Sequence, residues 1–559
     1  MLSLLVAHII ITVSCLWGGF LFYKFLPGKI ESRPIIFYLV SGLILFTFFT
    51  QIIVLFYPID LAIQLVFAVA LLVTAFFRRT DLKNLYKKVL AEYASWPKLT
   101  LLVFFLTWFI VLLINAGPTI MDDTESYHIQ SIKWIQEYGS VPGLVNLHER
   151  FGFNSSWFSS VALFSFSPTT TGGFTVLNSV LSMWLCCWFI SKYIQFQKEN
   201  NVQAAFAILV IFIAALMIWP LIRGNAATTN YDFITTCMVL ILFTEIFFLQ
   251  NKEISPSIEW VIWPAYLFTV RLINFPLLLL SLIGLIFFIK QKNLKALFLP
   301  VAYSLLLIIP FVIRNIMITG FPFYPATYFD FITVDWKPDP QVTERLLEYI
   351  KYYNRVSTTY LDIEQTKALG AAWIPAWFRH LFLFDKILLL LSLIGVLLTS
   401  TKLFIQKHNY NKSILLITVM IAWLICWFIV SPDPRFVYGI LLFGVFLLAY
   451  YSASIMKNFI VIKVLSNTLI IVLVAGSGFY LVSKPLKQPA YRNWISPVKL
   501  PEPPVQKIVV DGITFKIPEA INNNWNARCY GTDLPCLYKI DPRLKLRGKN
   551  ISSGFRLGK

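Results

Sequence analysis

Asp122 and Asp123, in GPTIMDDTESYH, directly follow an apolar run of about 18 residues from Leu99 to Ala116, where a membrane helix should surface. Carboxylates at a bilayer exit are costly to bury and well placed to meet a lipid-linked substrate. Either could act as a general base toward a hydroxyl group. Asp122 could instead cap the helix that follows, with Glu125 answering three residues later. Glu125 and His128, three apart on that helix, could form a divalent metal site with Asp122 and Asp123, although a hydrogen-bonded structural histidine is the commoner arrangement.

Four arginines join the aspartates at or near helix ends on the same side: Arg223 in RGNAATTNYDF, Arg271 in TVRLINFP, Arg314 in RNIMITGFPFYP and Arg435 in SPDPRFVYG. A guanidinium fork grips phosphate oxygens bidentately. Arg271 stands in an apolar segment, so it must snorkel or find an anionic partner. Asp232 either caps the helix it begins or joins this group. His148, Glu149 and Arg150 crowd one short loop and read as a solvated charge cluster. Asn154, Ser155 and Ser156 form a sequon pattern that turn chemistry explains equally well.

The elements that must position these residues are membrane helices. The chain has 559 residues, 58% of them hydrophobic and only 13% charged, with a mean hydropathy of +0.71, more apolar surface than water can solvate. The apolar stretches lack the alternation of a barrel strand, so the fold expected is all-α, a polytopic bundle of about 14 helices. They lie near 2–23, 34–56, 58–77, 99–116, 172–191, 202–220, 231–250, 259–273, 275–289, 296–315, 381–400, 413–430, 436–455 and 459–482. The eighth and ninth are short, and around Asn274 and Pro276 they read as broken helices that reverse inside protein. The first segment lacks a basic start and a small-residue cleavage site, so it reads as a retained helix.

Basic residues fix the orientation: Lys24, Lys29 and Arg33; Arg78, Arg79, Lys83, Lys87 and Lys88; Lys290, Lys292 and Lys295; Lys402, Lys407 and Lys412. All fall on one side, expected to be cytoplasmic. The acidic pair then faces outward. Three regions follow: residues 1–98, a three-helix module with a basic linker; 99–483, the core with outer loops 117–171 and 316–380; and 484–559, a small outer tail domain. The tail holds 14 Lys and Arg against 5 Asp and Glu, +9 of the net +19, which runs against the charge rule, but long hydrophilic domains translocate regardless of charge. Cys529 and Cys536, with six residues between them, suit a disulfide in an oxidising compartment.

Finer elements follow from pattern. A helix over Thr124–Tyr138 puts Ser126, Gln130, Lys133 and Glu137 on one polar stripe, fitting a helix on the membrane surface or against the bundle, and Gly139 ends it. A second short amphipathic piece covers about 155–166, followed by Pro168. A helix is expected near Pro340 to Asn354, and KIVVDGITFKI alternates like a short hairpin.

An acidic pair straight after a membrane helix, an interfacial helix with aromatics, and the ordered blocks HERFGFNSSWF, RGNAATTNYDF, TVRLINFP, RNIMITGFPFYP and SPDPRFVYG resemble the GT-C superfamily of integral membrane glycosyltransferases. The pattern is similar to that of protein O-mannosyltransferases and lipid A aminoarabinose transferases, and it covers about residues 99–455. The resemblance implies a bacterial inner-membrane enzyme that moves a sugar from a polyprenyl-phosphate donor to an extracytoplasmic glycan, lipid or protein. It departs in three respects: the three helices before the acidic pair, Arg271 where a lysine is common, and the basic tail. A flippase or exporter of lipid-linked saccharides, or an outer-face glycan polymerase or ligase, is the alternative. A flippase favours repeated halves, which the sequence does not display. No Walker loop, dinucleotide fingerprint or zinc spacing occurs, and the basic loops account for much of the charge, so nucleic acid is not an expected partner. No cofactor is required by pattern; a divalent metal on Asp122, Asp123 and His128 is the one candidate.

Overall fold

In the computed structural model, residues 1–25, 33–166, 173–249, 257–290, 294–356, 363–406, 411–456, 459–519 and 528–558 are described. Lys29, Lys292, Lys407, Pro168 and the side chains of Lys295 and Lys412 lie outside them. The fold is 75% helical. In chain order the helices are α1 (Leu2–Lys24), α2 (Ile35–Ile53), α3 (Leu61–Phe77), α4 (Arg79–Ala94), α5 (Lys98–Ala116), α6 (Ile129–Glu137), α7 (Ser156–Phe164), α8 (Val176–Lys198), α9 (Val202–Met217), α10 (Asp232–Phe248), α11 (Glu259–Val270), α12 (Leu278–Lys290), α13 (Leu294–Thr319), α14 (Pro340–Val356), α15 (Ile363–Ala368), α16 (Trp373–His380), α17 (Leu383–Gln406), α18 (Asn411–Val430), α19 (Tyr438–Met456) and α20 (Phe459–Lys487).

Each apolar stretch is helical because a lipid environment offers backbone groups no partners but one another. Among the described residues ten helical segments are long and apolar enough to cross a membrane: α1, α2, α5, α8, α12 together with the turn before it (Leu272–Lys290), α13, α17, α18, α19 and α20. The chain is a multi-pass membrane protein. α9 is a shorter apolar helix, α10 and α11 are short and almost wholly buried, and α3 bends by 94° into α4. That bend turns the basic, amphipathic α4 away from the direction of α3, as suits a helix at an interface. α11 and α12 are joined by a 3-10 turn over Leu272–Leu277, with Arg271 extended at the break. Pro276 lies within the turn, where its missing N–H costs least.

The N-terminal helices are wired into the core rather than loosely attached. α1 crosses α2 at glycines: a Cβ on Gly19 would lie 1.8 Å from the Tyr38 carbonyl oxygen, and one on Gly42 1.8 Å from that of Cys15. Only small residues allow backbones to approach so closely. His8 Nε2 bonds Ser179 Oγ of α8 at 2.7 Å while its Nδ1 accepts from the Trp108 indole at 3.2 Å. Thr47 and Ser160 hydroxyls meet at 2.6 Å, tying α2 to α7.

The tail forms two small antiparallel hairpins, β1 (Val505–Val510) with β2 (Ile513–Pro518), and β3 (Leu544–Leu546) with β4 (Phe555–Leu557). Asp511 and Gly512, both at positive φ, make the first turn, as a two-residue hairpin loop needs. Phe515, Leu537, Leu544 and Phe555 share one buried cluster with Trp134, Val141 and Leu144 of the first loop. The tail is thus docked on the end of the bundle that bears the acidic pair.

Candidate functional site

α5 ends at Gly117, and Asn115 in its last turn donates to Thr175 Oγ1 at 2.8 Å and to the Ala226 carbonyl at 2.9 Å. This anchors the start of the acidic segment to the loop between α9 and α10. The loop is braced from α8 and from within: Asn178 of α8 donates to Thr228 Oγ1 and to the Asn230 carbonyl, and the Asp232 N–H donates to Asn230 Oδ1. Thr229 N–H in turn reaches Thr124 Oγ1 at 3.2 Å. The block TTNYDF is therefore a clamp that sets Asp232 beside the segment carrying Asp123.

Thr124–His128 forms a π-helical turn that runs into α6, a local widening often found at functional sites. The two aspartates just before it have different partners. Asp123 accepts from Arg150 Nη1 on Oδ1 and from Arg435 Nη1 on Oδ2, each at 3.2 Å, with 22% of its side chain exposed. Asp122, with 67% exposed, instead pairs with Arg528 of the tail. Arg528 also pairs with Glu125, which accepts a 2.7 Å bond from Thr119 as well. In place of the alternative capping box of Asp122 and Glu125, both carboxylates pair with one guanidinium.

Around Asp123 the fold collects opposite charges from distant segments. Arg271 pairs with Asp232 and lies 3.6 Å from the Phe436 ring centre. Arg435 contacts Asp433 at 2.9 Å and Asp232 at 3.8 Å as well as Asp123. Asp433 also caps the short turn Pro434–Val437, accepting from the Arg435 N–H at 3.0 Å, which aims that arginine into the group. Tyr127 and Tyr231 hydroxyls lie 3.5 Å apart at the edge, and Arg150 stacks 5.5 Å from the Tyr127 ring. Three guanidinium groups and three carboxylates thus balance at the mouth of the bundle.

Burial by itself would raise Asp123, but Arg435, helped by Arg150, outweighs it and holds the carboxyl below its usual range. Burial pushes Asp433 the other way, upward. His128 is pushed down to about 3 by burial; its Nδ1 meets Thr229 Oγ1 at 3.0 Å and its buried Nε2 has no hydrogen-bond partner among the described residues. The metal set of Asp122, Asp123 and His128 is not assembled: among the described residues no three His, Cys, Asp or Glu side chains converge on a common point. Arginines occupy the carboxylates instead.

The remaining expected residues divide. Asp232, Arg271 and Arg435 are in the group, whereas Arg314 pairs with Asn154 within the bundle. Arg223 bonds the Met217 carbonyl at 3.0 Å and lies 4.9 Å from the Tyr480 ring centre, in a different place. Asn154 is buried and donates to the Phe311 carbonyl at 3.0 Å, so the sequon is a packing element. Arg150 is one of three residues of the group that sequence reasoning does not single out, because beside His148 and Glu149 it reads as part of a solvated run. Asp433 and Tyr231 were missed too, and the only signal was their place in the blocks SPDPRF and TTNYDF.

The tail seals one side. Cys529 and Cys536 are joined in a disulfide, and the loop between them is held by α6. Gln130 donates to the Tyr530 and Thr532 carbonyls at 3.2 and 2.8 Å, and Lys133 to those of Gly531 and Thr532 at 3.1 Å. Gln130 and Lys133 of the polar stripe are therefore covered by the tail, while Glu137 stays exposed. α7, expected to be amphipathic, is buried on every side. Part of the tail's positive charge is spent on docking: Arg543 meets Asp339 at 3.3 Å, and Arg547 and Arg556 meet Asp335 at 3.0 and 3.7 Å.

No curated protein and no solved structure matches the chain. A family model described as a domain of unknown function, DUF8201, matches residues 1–442. That stretch contains all three guanidinium groups and all three carboxylates of the balanced group, while Arg528 and the disulfide lie beyond it; the chain belongs to the DUF8201 family.

Proposed function

We propose that this protein is a GT-C-like glycosyltransferase of the bacterial cytoplasmic membrane, taking a sugar from a polyprenyl-phosphate donor at the outward-facing end of the bundle. The observation that carries the reading is the convergence of Arg150, Arg271 and Arg435 on Asp123 and Asp232 where the membrane helices end. The side assignment rests on Lys and Arg at the opposite helix ends. Glycosyl transfer from a lipid phosphate needs a base for the acceptor hydroxyl and cations for the departing phosphate, and this group supplies both.

In the proposed reaction Arg271 and Arg435 turn from their carboxylates toward the donor phosphate. That turn removes the cation that depresses Asp123 most, so Asp123 becomes a better base when the donor is bound. Asp123 takes the acceptor's proton as its oxygen bonds to the anomeric carbon. The bond from that carbon to the phosphate oxygen breaks, and the phosphate leaves with its electron pair, held by the arginines. Asp123 later releases the proton to water. Asp122, engaged with Arg528, is a positioning residue here, so of the two aspartates Asp123 is assigned the base.

The test is transfer by purified protein from a panel of polyprenyl-phosphate sugars to acceptors in membrane extract. Product formation supports the reading. Donor binding without bond formation across the panel would favour translocation of the lipid-linked saccharide.

A further inference from the structure

A second group of cations lies on another flank of the end that carries the acidic pair, and it is independent of the proposed reaction. Arg223, expected from the sequence to hold a phosphate, belongs to it. After α9 the chain turns through Trp219–Arg223. The Arg223 guanidinium lies 5.6 Å from the Trp219 ring centre and 4.9 Å from that of Tyr480 on α20, and it donates to the Met217 carbonyl at 3.0 Å, which leaves its charge uncompensated. One turn further along α20, Lys484 lies 4.4 Å from the Tyr491 ring centre, close enough to Arg223 for the two positive charges to repel each other. Lys487 follows on the same stripe, exposed, and Arg492 folds back to donate to the Pro485 and Leu486 carbonyls at 2.8 and 3.1 Å. Tyr491 packs on Gly117 at the end of α5, where a Cβ would lie 2.4 Å from its ring. Residues 217–231 and 476–500, which build this flank, contain no Asp or Glu. Among the described residues none of the four cations pairs with a carboxylate, so the charge that is balanced around Asp123 is unbalanced here.

The surroundings suit a lipid headgroup. Among the described spans α20 is the least buried. Its residues Phe479, Val482 and Leu486 form an exposed apolar stripe beside the one that carries Tyr480, Lys484 and Lys487. Trp219 is exposed as well, and tryptophan and tyrosine rings favour the headgroup level of a bilayer. Acyl chains therefore have an apolar face to lie on, alongside cations that stand where headgroup phosphates are. A guanidinium holds phosphate oxygens with a fixed fork, and an ammonium on a flexible stem adapts to those left over.

We propose that Arg223 and Lys484 bind the phosphate of an anionic membrane phospholipid, whose acyl chains run along Phe479, Val482 and Leu486. Lys487 and Arg492 add attracting potential from the end of α20. A lipid held there bridges the turn after α9 to the outlying α20, and so fastens that helix to the bundle beside α5.

Native mass spectrometry of the purified full-length protein tests this, with titrations of phosphatidylglycerol, zwitterionic phosphatidylcholine and uncharged diacylglycerol of the same chains. Phosphatidylglycerol should bind saturably, phosphatidylcholine about tenfold more weakly, and diacylglycerol not at all. The double variant Arg223→Gln with Lys484→Gln should retain one phosphatidylglycerol fewer than wild type. Lys484→Gln alone, which gives up the contact with the Tyr491 ring, should weaken that binding severalfold and serves if the double variant does not fold. Lys484→Arg should keep the lipid, and Lys463→Gln, at the other end of α20, should leave the count unchanged. Millimolar glycerol phosphate should not displace the lipid, because it lacks the chains. Equal retention by wild type and the glutamine variants overturns the site, as does equal binding of phosphatidylglycerol and phosphatidylcholine. Displacement by glycerol phosphate, or an equal loss in Lys463→Gln, overturns it too.

Discussion

Replacing Asp123 by Asn separates a base from a strut, because the amide keeps the shape and removes both the proton acceptor and the charge. Two effects of different size follow. Loss of positioned proton transfer lowers turnover by about 10²- to 10⁴-fold, about 3–5 kcal/mol of barrier. Loss of the charge leaves Arg150 and Arg435, each 3.2 Å away, with one carboxylate fewer. Breaking a fully buried pair costs about 3–5 kcal/mol; with 22% of the Asp123 side chain exposed, the cost is placed below that range, about 2 kcal/mol after screening. The freed guanidinium groups are better placed to hold a phosphate, so donor KM should stay level or fall while kcat collapses. The assay is steady-state transfer over a range of donor concentrations, with thermal unfolding in detergent alongside. A kcat within threefold of wild type in a folded Asp123→Asn protein would falsify the base assignment, and a raised KM with unchanged kcat would make the residue a binding strut.

Arg528→Gln removes a cation shared by Asp122 and Glu125, so the tail should be cut faster by protease in the Pro-rich stretch 488–504, with transfer reduced severalfold; reduction of the Cys529–Cys536 disulfide should act in the same direction. His128 is held neutral by burial, with its folded pKa near 3 below an unfolded value near 6.5. The unfolded chain therefore takes up the proton first as pH falls: this stability is whole above about 6.5 and is lost progressively below it, by about 2 kcal/mol between pH 7 and pH 5. His128→Asn should flatten that part of the stability curve measured by thermal unfolding. Asp123 works at lower pH with its own sign, since its depressed carboxyl contributes fully above the unfolded value near 3.9 and loses that contribution as pH falls through the folded one. At the crossing of α1 and α2, Gly19→Val should greatly reduce the yield of folded protein on size exclusion, because its Cβ has no room beside the Tyr38 carbonyl, whereas Gly478→Ala, where a Cβ meets nothing within 4 Å, should be tolerated.

The residues by themselves determined the class of this protein. Long apolar runs must become helices in lipid, and the stretches read from the sequence are helices, ten of them long enough to span among the described residues. Local signals also held where the chain answers to its neighbours: Gly139 takes positive φ at the end of α6, Asp511 and Gly512 turn the β1–β2 hairpin, and a helix begins at Pro340. Asp122 and Asp123 were legible as a pair because charge at a helix exit stands out against apolar sequence.

Only the tertiary structure decided which partners each aspartate meets. Asp122 and Asp123 are adjacent, yet their partners come from residues 528, 150 and 435, and no local pattern encodes which distant guanidinium each will meet. Arg150 hid in a polar loop for the same reason, while Arg314, equally promising by placement, spent its charge on Asn154. The stripe on α6 was correctly seen as polar, but that it faces backbone carbonyls of the tail depends on how a domain some 400 residues away docks. Periodicity is a property of neighbours along the chain; the ion pairing around Asp123 is a property of neighbours in space.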